Sequence, residues 1–261
     1  VTFITLWFNV ALLILGMMTA MWLLSLVLKD SSIVDIFWGA GFVITFWFSY
    51  ATSGLSHPTS VTLLGIIVTI WGLRLSLYIL SRNAGHGEDF RYAAWREENG
   101  RRWWWFSFFQ VFLLQGVIMW AVAAPLVAAQ FASSGLGILP ILGMLLWLVG
   151  FIFEAGGDWQ LARFKADPAN KGKLLTTGLW GLTRHPNYFG DAVQWWGFWL
   201  FALAAGGWWT IFSPVIMSFL LVRVSGVAML EKSLKETKPG YAEYVENVPA
   251  FVPRLLPRKR K

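Results

Sequence analysis

The sequence has no cysteine, few charges and three histidines, and each shortage removes a class of chemistry. Without cysteine there is no disulfide, no thiolate nucleophile, no Cys-based zinc or iron–sulfur centre and no lipidated Cys. The redox compartment therefore leaves no mark on the chain. Charged residues are 13% of the 261, against roughly 25% in a soluble domain. His57 is expected on the outer side and His86 and His185 on the inner side, so they cannot build a three-His metal site, and no H-E-x-x-H occurs. No G-x-G-x-x-G follows a strand. Gly39-Ala40-Gly41 lies within an apolar run, with Ile44 where the third glycine would stand, which excludes a Rossmann domain. G-x-S-x-G and Walker loops are absent as well. No polar, Pro- or Ser-rich linker divides the chain, so residues 1–261 are expected to form a single membrane domain without a separate soluble catalytic domain.

What is plentiful is apolar: 57% hydrophobic residues, with 18 Trp and 21 Phe. A spanning helix needs about 20 mostly apolar residues. The runs 3–28, 33–50, 61–80, 104–131, 136–154, 188–205 and 208–224 approach or meet this length, so the expectation is an all-α, multi-pass membrane protein with seven transmembrane helices. The first run has no basic segment before it and is too long for a secretory h-region, so it is read as a retained span. Most Trp residues are read as packing and interfacial belts, with Trp103-Trp104-Trp105 at the inner surface.

With the N-terminus outside, segments 51–60, 132–135 and 205–207 face outward and carry no Lys, Arg, Asp or Glu. The 21 basic residues then fall on the inner side, which sets the N-terminus out and the C-terminus, Arg258-Lys259-Arg260-Lys261, in the cytosol. The same rule explains the +7 charge better than a nucleic-acid stripe does, so no nucleic-acid partner is expected. The 14 acidic residues share that side although the rule does not govern them. A polar chamber open to the cytosol would account for them, walled by 81–103, 155–187, 225–261 and the inner helix ends.

The richest segment is Thr183-Arg184-His185-Pro186-Asn187-Tyr188-Phe189-Gly190-Asp191. Pro186 suits a helix start, and Asn187 and Asp191, four apart, share a face near the positive dipole end, able to hold an amide or a ribose. A helix cap with an interfacial Tyr is the other reading. Glu154, Asp158, Leu161 and Lys165 share a helical face leaving the fifth span, and Arg163, Lys165, Lys171 and Lys173 read either as a phosphate clamp or as a solvated, positive-inside loop. In Arg82-Asn83-Ala84-Gly85-His86-Gly87-Glu88-Asp89-Phe90-Arg91-Tyr92, the glycines permit close backbone approach and Arg82 and Arg91 could reach a phosphate; a plain turn fits equally. Charges within spans need a partner or water. For Arg74, Arg223 and Glu154 snorkelling or structural pairing serves as well as function, whereas Asp35 is too short to snorkel far.

The Arg184–Asp191 segment, followed by Leu230-Glu231-Lys232, Tyr241-Ala242-Glu243-Tyr244 and Phe251-Val252-Pro253, resembles the steroid 5α-reductase superfamily, most strongly over about 150–255. That group is similar to the sterol C14 and C7 reductases and, more distantly, to isoprenylcysteine and phospholipid methyltransferases. R-H-P-x-Y is shared with the methyltransferases; the longer form with Asn187 and Asp191 resembles the reductases. The resemblance implies that Asp158, Lys165, Asn187, Tyr188 and Asp191, with Arg184 and His185 of the same motif, bind NADPH, with Arg74 and Arg82 contributing from the third span. It also implies a division into substrate-side helices, 1–131, and a cofactor-binding half, 136–261. The sequence departs from the family in several places. Asp191 stands for a Glu, Asp35 is the only carboxylate where a Gln-Glu pair is usual, Trp71 aligns with the partner Tyr, and Ser225 and Met229 replace a His and a Tyr.

The implied activity is NADPH-dependent reduction of the Δ4 double bond of a 3-oxo steroid or similar lipid enone, a step of steroid or lipid metabolism. Such a reaction needs a donor aimed at the carbonyl oxygen. Asp35, neutral in an apolar setting, is the first candidate, and Tyr78, four residues beyond Arg74, is the second. A hydrophobic substrate would enter from the bilayer and the nicotinamide from the cytosol. A monomer in a bacterial inner membrane is expected, with the endoplasmic reticulum as the other host. The alternative function is an S-adenosylmethionine-dependent methyltransferase. A lipid transporter is disfavoured by the charge-free outer face and the lack of an inverted repeat.

Overall fold

Helix α1, Phe3–Leu28, starts where the Thr2 hydroxyl accepts from the Thr5 N–H and ends at Lys29, whose backbone is left-handed. Leu6, Val10, Ile14 and Met18, spaced by four, form its buried seam, while Ile4, Phe8, Leu12 and Leu15 stay exposed. That pattern inverts nothing in lipid: the exposed face is as apolar as the buried one, and the backbone is satisfied within the helix. The computed structural model describes residues 1–133, 135–224, 227, 231, 234 and 238–254. Among them there is no strand.

The helices that follow are α2, Ile33–Thr52; α3, Thr59–Asn83; α4, Phe90–Asn99; α5, Trp103–Ser107; a π-helical turn at Phe108–Leu113; α6, Leu114–Val122; and α7, Ala124–Ala128. Next come α8, Ile138–Ala166; α9, Leu179–Leu182; α10, Pro186–Ala204; α11, Phe212–Phe219; and α12, Tyr241–Asn247. Among the described residues, five continuous helical stretches are long and apolar enough to cross a membrane: Phe3–Leu28, Ile33–Thr52, Thr59–Asn83, Phe90–Val122 and Ile138–Ala166. This is fewer than the seven expected. The runs 188–205 and 208–224 are helical, but α10 carries Asn187, Asp191 and Gln194. The stretch Trp208–Val224 is a shorter apolar helix, opening with a 3-10 turn and closing with a π-turn.

The chain divides into two compact units. The first comprises Val1–Pro140 and Phe201–Thr210; the second comprises Ile141–Leu200 and the described residues from Ile211 on. In the first unit α2 and α3 meet at Gly39 and Gly72, where a Cβ on either glycine would strike the other's backbone carbonyl. The buried Ser76 hydroxyl accepts from the Ala40 N–H at 2.9 Å in the same seam. Trp120 on α6 donates its indole N–H to the Trp7 carbonyl of α1 at 3.1 Å. In the second unit α8 and α10 close on Gly150 and Gly190 by the same device, with Gly157 against Pro186. Such contacts bring backbones together where larger side chains would hold them apart.

Candidate active site

The first unit gathers its polar groups around the start of α2. After α3 the chain turns at Gly85 and Gly87, both at positive φ (79° and 73°), conformations open to glycine at little cost. The turn delivers Glu88, Asp89, Arg91 and Tyr92 to the α1–α2 junction. Asp89 caps α4 by accepting from the Arg91 N–H. Glu88 accepts from the Ser31 N–H at 2.6 Å and from Arg96 at 2.8 Å through each of two nitrogens. Arg91 spans Asp89 (2.8 Å) and Asp35 (2.9 Å). The Tyr92 hydroxyl donates to Asp35 Oδ1 at 2.7 Å, and Gln115 Nε2 donates to the Tyr92 oxygen at 3.2 Å and to Asp35 Oδ1 at 3.4 Å.

Burial by itself would raise the Glu88 and Asp89 carboxyls. Hydrogen bonds from Arg96 to Glu88 and from Arg91 to Asp89 outweigh it and hold both below the usual carboxylate range.

This arrangement corrects the expected setting of Asp35. It does not sit in apolar surroundings; it is met by a guanidinium, a phenol and an amide, all donating to it. Tyr78 is half-buried on α3 and is not among the partners of Asp35. Tyr92 and Gln115, overlooked in the sequence, are the residues that join Asp35. The one available signal was Arg91-Tyr92 directly following the acidic pair Glu88-Asp89. Of the expected cofactor residues, Arg74 is half-buried on α3, and Arg82 is exposed, with its Nε on Asn83 at 3.2 Å.

The second unit holds the rest. Pro186 opens α10, as expected, and α8 runs on to Ala166, keeping Glu154 and Asp158 on one helix. Asn187 Nδ2 donates to Asp158 Oδ1 at 3.2 Å; Asp158 and Asp191 are buried. One turn further along α10, the fully buried Gln194 donates from Nε2 to Glu154 at 2.5 Å and to the Gly190 carbonyl at 3.4 Å. Both partners are acceptors, which fixes the amide orientation and leaves Gln194 Oε1 as a buried acceptor without a partner among the described residues. Lys165, Lys171 and Lys173 are exposed, and Tyr188 stacks on the His185 ring at 5.6 Å.

Arg184 is not where the resemblance puts it. Its Nε and Nη2 bind Glu231 at 2.8 and 2.6 Å, and its Nη1 donates to the carbonyls of Val245 (3.1 Å) and Val248. Its backbone N–H donates to the Pro249 carbonyl at 2.9 Å, and the Thr183 hydroxyl donates to the carbonyl of Phe251 at 2.9 Å. This guanidinium is spent on Glu231 and the C-terminal end of α12, which leaves little of it for a phosphate. His185 is buried, with Nε2 3.4 Å from Glu231; burial pushes its pKa down to about 4 against the pull of Glu231. Leu230, Lys232, Ser225, Met229 and Arg258 to Lys261 lie outside the described residues.

What remains in the second unit fits a nicotinamide nucleotide. Asp158, Asn187 and Asp191 bring two carboxylates and an amide to one corner, Gln194 Oε1, without a partner among the described residues, suits an amide N–H, and Lys165, Lys171 and Lys173 are exposed cations.

These features define a helical protein of membrane type with buried polar clusters at helix ends. The chain belongs to the DUF1295 family, described as a protein of unknown function, whose model matches residues 21–248. An uncharacterized protein of Schizosaccharomyces pombe is 26% identical over 266 residues, covering 90% of this chain and 76% of its own length. Delta(14)-sterol reductases of Schizosaccharomyces pombe and Ascobolus immersus are 30% and 32% identical over 45% and 34% of the chain. These alignments span only 29% and 24% of the reductases themselves. A protein of Ustilaginoidea virens named as a probable O-methyltransferase is 33% identical over 43% of the chain and 34% of its own length. No solved structure matches.

Proposed function

We propose that the protein is a membrane-embedded, NADPH-dependent double-bond reductase acting on a 3-oxo-Δ4 steroid or similar lipid enone. The observation that carries this reading is the similarity to two Delta(14)-sterol reductases. The chemistry of the second unit supports it. Asp158, Asn187, Asp191 and Gln194 would bind and orient the ribose and nicotinamide, and Lys165, Lys171 and Lys173 would meet the phosphates. When bound, NADPH would supply a hydride, and the chain itself must supply a proton and polarise the carbonyl. Arg91 is occupied by two carboxylates and is left out of the phosphate set. In this reading the chain crosses a bacterial inner membrane seven times as a monomer, N-terminus out and C-terminus cytosolic, with substrate entering from the bilayer.

The test is titration of the purified protein with NADPH and with S-adenosylmethionine, followed by Trp fluorescence, alongside NADPH oxidation in the presence of progesterone-like enones. Binding of NADPH with enone-dependent oxidation is expected. Binding of S-adenosylmethionine in its place would overturn the reading in favour of a methyltransferase.

A further inference from the structure

We propose that the groove between α1 and the segment formed by α5 and the π-turn binds one anionic phospholipid, with Arg101 and Arg102 holding the headgroup and an acyl chain lying in the groove. The site belongs to the first unit alone and is independent of the reductase reading. The groove holds about 220 Å³ of space between Thr19 and Trp22 of α1 on one side and Trp105, Phe108 and Phe109 on the other. Thr19 donates its hydroxyl to the Leu15 carbonyl at 2.7 Å, so its polar group is satisfied within α1 and the walls of the groove are apolar.

These walls are fixed by the protein itself. The Phe108 N–H, which a regular α-helix would direct to the Trp104 carbonyl, goes to that of Trp105 where the π-turn begins. The Trp104 carbonyl accepts instead from the Trp22 indole N–H at 2.8 Å, which ties the two sides of the groove together. The Trp22 and Phe108 rings meet edge to face at 5.2 Å, those of Phe108 and Phe109 at 5.3 Å, and those of Trp105 and Phe109 at 6.3 Å. Rings that hold one another lose little freedom when a chain settles between them, which lowers the cost of binding.

Apolar walls alone do not select a lipid, because an acyl chain gains no hydrophobic free energy on leaving other acyl chains. Charge supplies the selection. Gly100–Arg102 forms a 3-10 turn that runs directly into α5, and Arg101 and Arg102 stand four and three residues before Trp105, hence on its face of the helix. Both are exposed, as is Lys29 at the end of α1, seven residues beyond Trp22. Among the described residues neither Arg101 nor Arg102 has a side-chain hydrogen bond or ion pair, whereas Arg91, Arg96 and Arg184 are each paired with a carboxylate. The acids nearest in sequence, Glu97 and Glu98, precede Gly100, whose φ of 48° breaks the helix between them and the two arginines. Two exposed guanidiniums at the end of an aromatic-walled apolar groove fit a phosphodiester headgroup of net negative charge whose tail continues into the groove.

The experiment titrates the full chain in detergent with phosphatidylglycerol and with phosphatidylcholine, each carrying brominated acyl chains. Quenching of Trp fluorescence reports affinity, and native mass spectrometry counts the lipids retained. One phosphatidylglycerol is expected to bind well ahead of phosphatidylcholine. A cation near an anionic headgroup contributes about fivefold in affinity, so replacing both arginines, Arg101→Gln with Arg102→Gln, should weaken phosphatidylglycerol by roughly 25-fold and leave phosphatidylcholine unchanged. Thr19→Phe keeps both arginines but fills the groove, and should abolish retention of the single phosphatidylglycerol. The two sets of substitutions lie on different helices at outward-facing positions, so either one decides the matter if the other does not fold. Equal affinity for the two lipids, wild-type phosphatidylglycerol affinity in the double variant, or undiminished retention in Thr19→Phe would overturn the proposal.

Discussion

Arg184 grips Glu231 with two of its nitrogens, at 2.8 and 2.6 Å, in a setting where 7% of one side chain and 15% of the other reaches solvent. The same guanidinium donates to the Val245 and Val248 carbonyls. Removing one partner of a buried pair leaves the other charge uncompensated, at about 3–5 kcal/mol. Arg184→Ala should therefore unfold at markedly lower temperature, and Arg184→Lys should not restore it, because a point ammonium cannot make the forked contacts. Thermal melts in detergent decide this. Normal stability with a selective loss of NADPH affinity would return Arg184 to the phosphate set.

Close backbone contacts make a second prediction. A Cβ at Gly190 would fall on the Gly150 carbonyl and the Glu154 N–H, and one at Gly39 on the Gly72 carbonyl. Gly190→Ala and Gly39→Ala should each cost about 1–3 kcal/mol or more, as overpacking does. Gly16 on α1 has nothing within 4 Å of a Cβ, so Gly16→Ala should be neutral or mildly stabilising through helix propensity. Melting the three variants side by side is the measurement.

The pH dependence of stability has a definite sign at two places. Glu88 and Asp89 have folded pKa values below their ordinary 4.5 and 3.8, so their contribution is complete above those values and is lost as pH falls through the lowered folded ones. His185 falls from 6.5 to about 4 because it is buried, so the unfolded chain binds its proton first and stability declines as pH drops from 6.5 toward 4. Replacing His185 with Gln should flatten the stability profile in that window, and Glu88→Gln should flatten it below about 4.5. A slope between pH 6.5 and 4 unaltered by His185→Gln would contradict the assigned cause.

At the α8–α10 corner, Asn187→Ala and Asp158→Ala each break the 3.2 Å bond between the two residues, and Asn187 is only half-buried. Each should weaken NADPH binding several-fold, as the loss of one or two polar contacts does, while the melting temperature moves little. A lowered melting temperature with unchanged NADPH affinity would mean the pair serves as a helix cap and nothing more.

The sequence by itself determined the helical, lipid-adapted character of the chain, the start of α10 at Pro186 and the continuation of α8 past the membrane-facing run, because hydropathy, proline and helical period act over one or two turns. It also marked Asp35, Asp158, Asn187 and Asp191 as costly or informative polar residues. Only the tertiary structure decided what they touch. Arg91 and Tyr92 are 56 and 57 residues from Asp35, and Gln115 is 80 away. Nothing in the local pattern separates Tyr92 from Tyr78, which is closer in sequence to Arg74 and sits on the expected span. In the same way, the motif around Arg184 looks like phosphate chemistry until Glu231 and the carbonyls after it, 47 to 64 residues on, are seen to take up its donors. A buried charge finds its partner through the folding of distant segments, and which donor reaches it first is a matter of packing that no single stretch of chain contains.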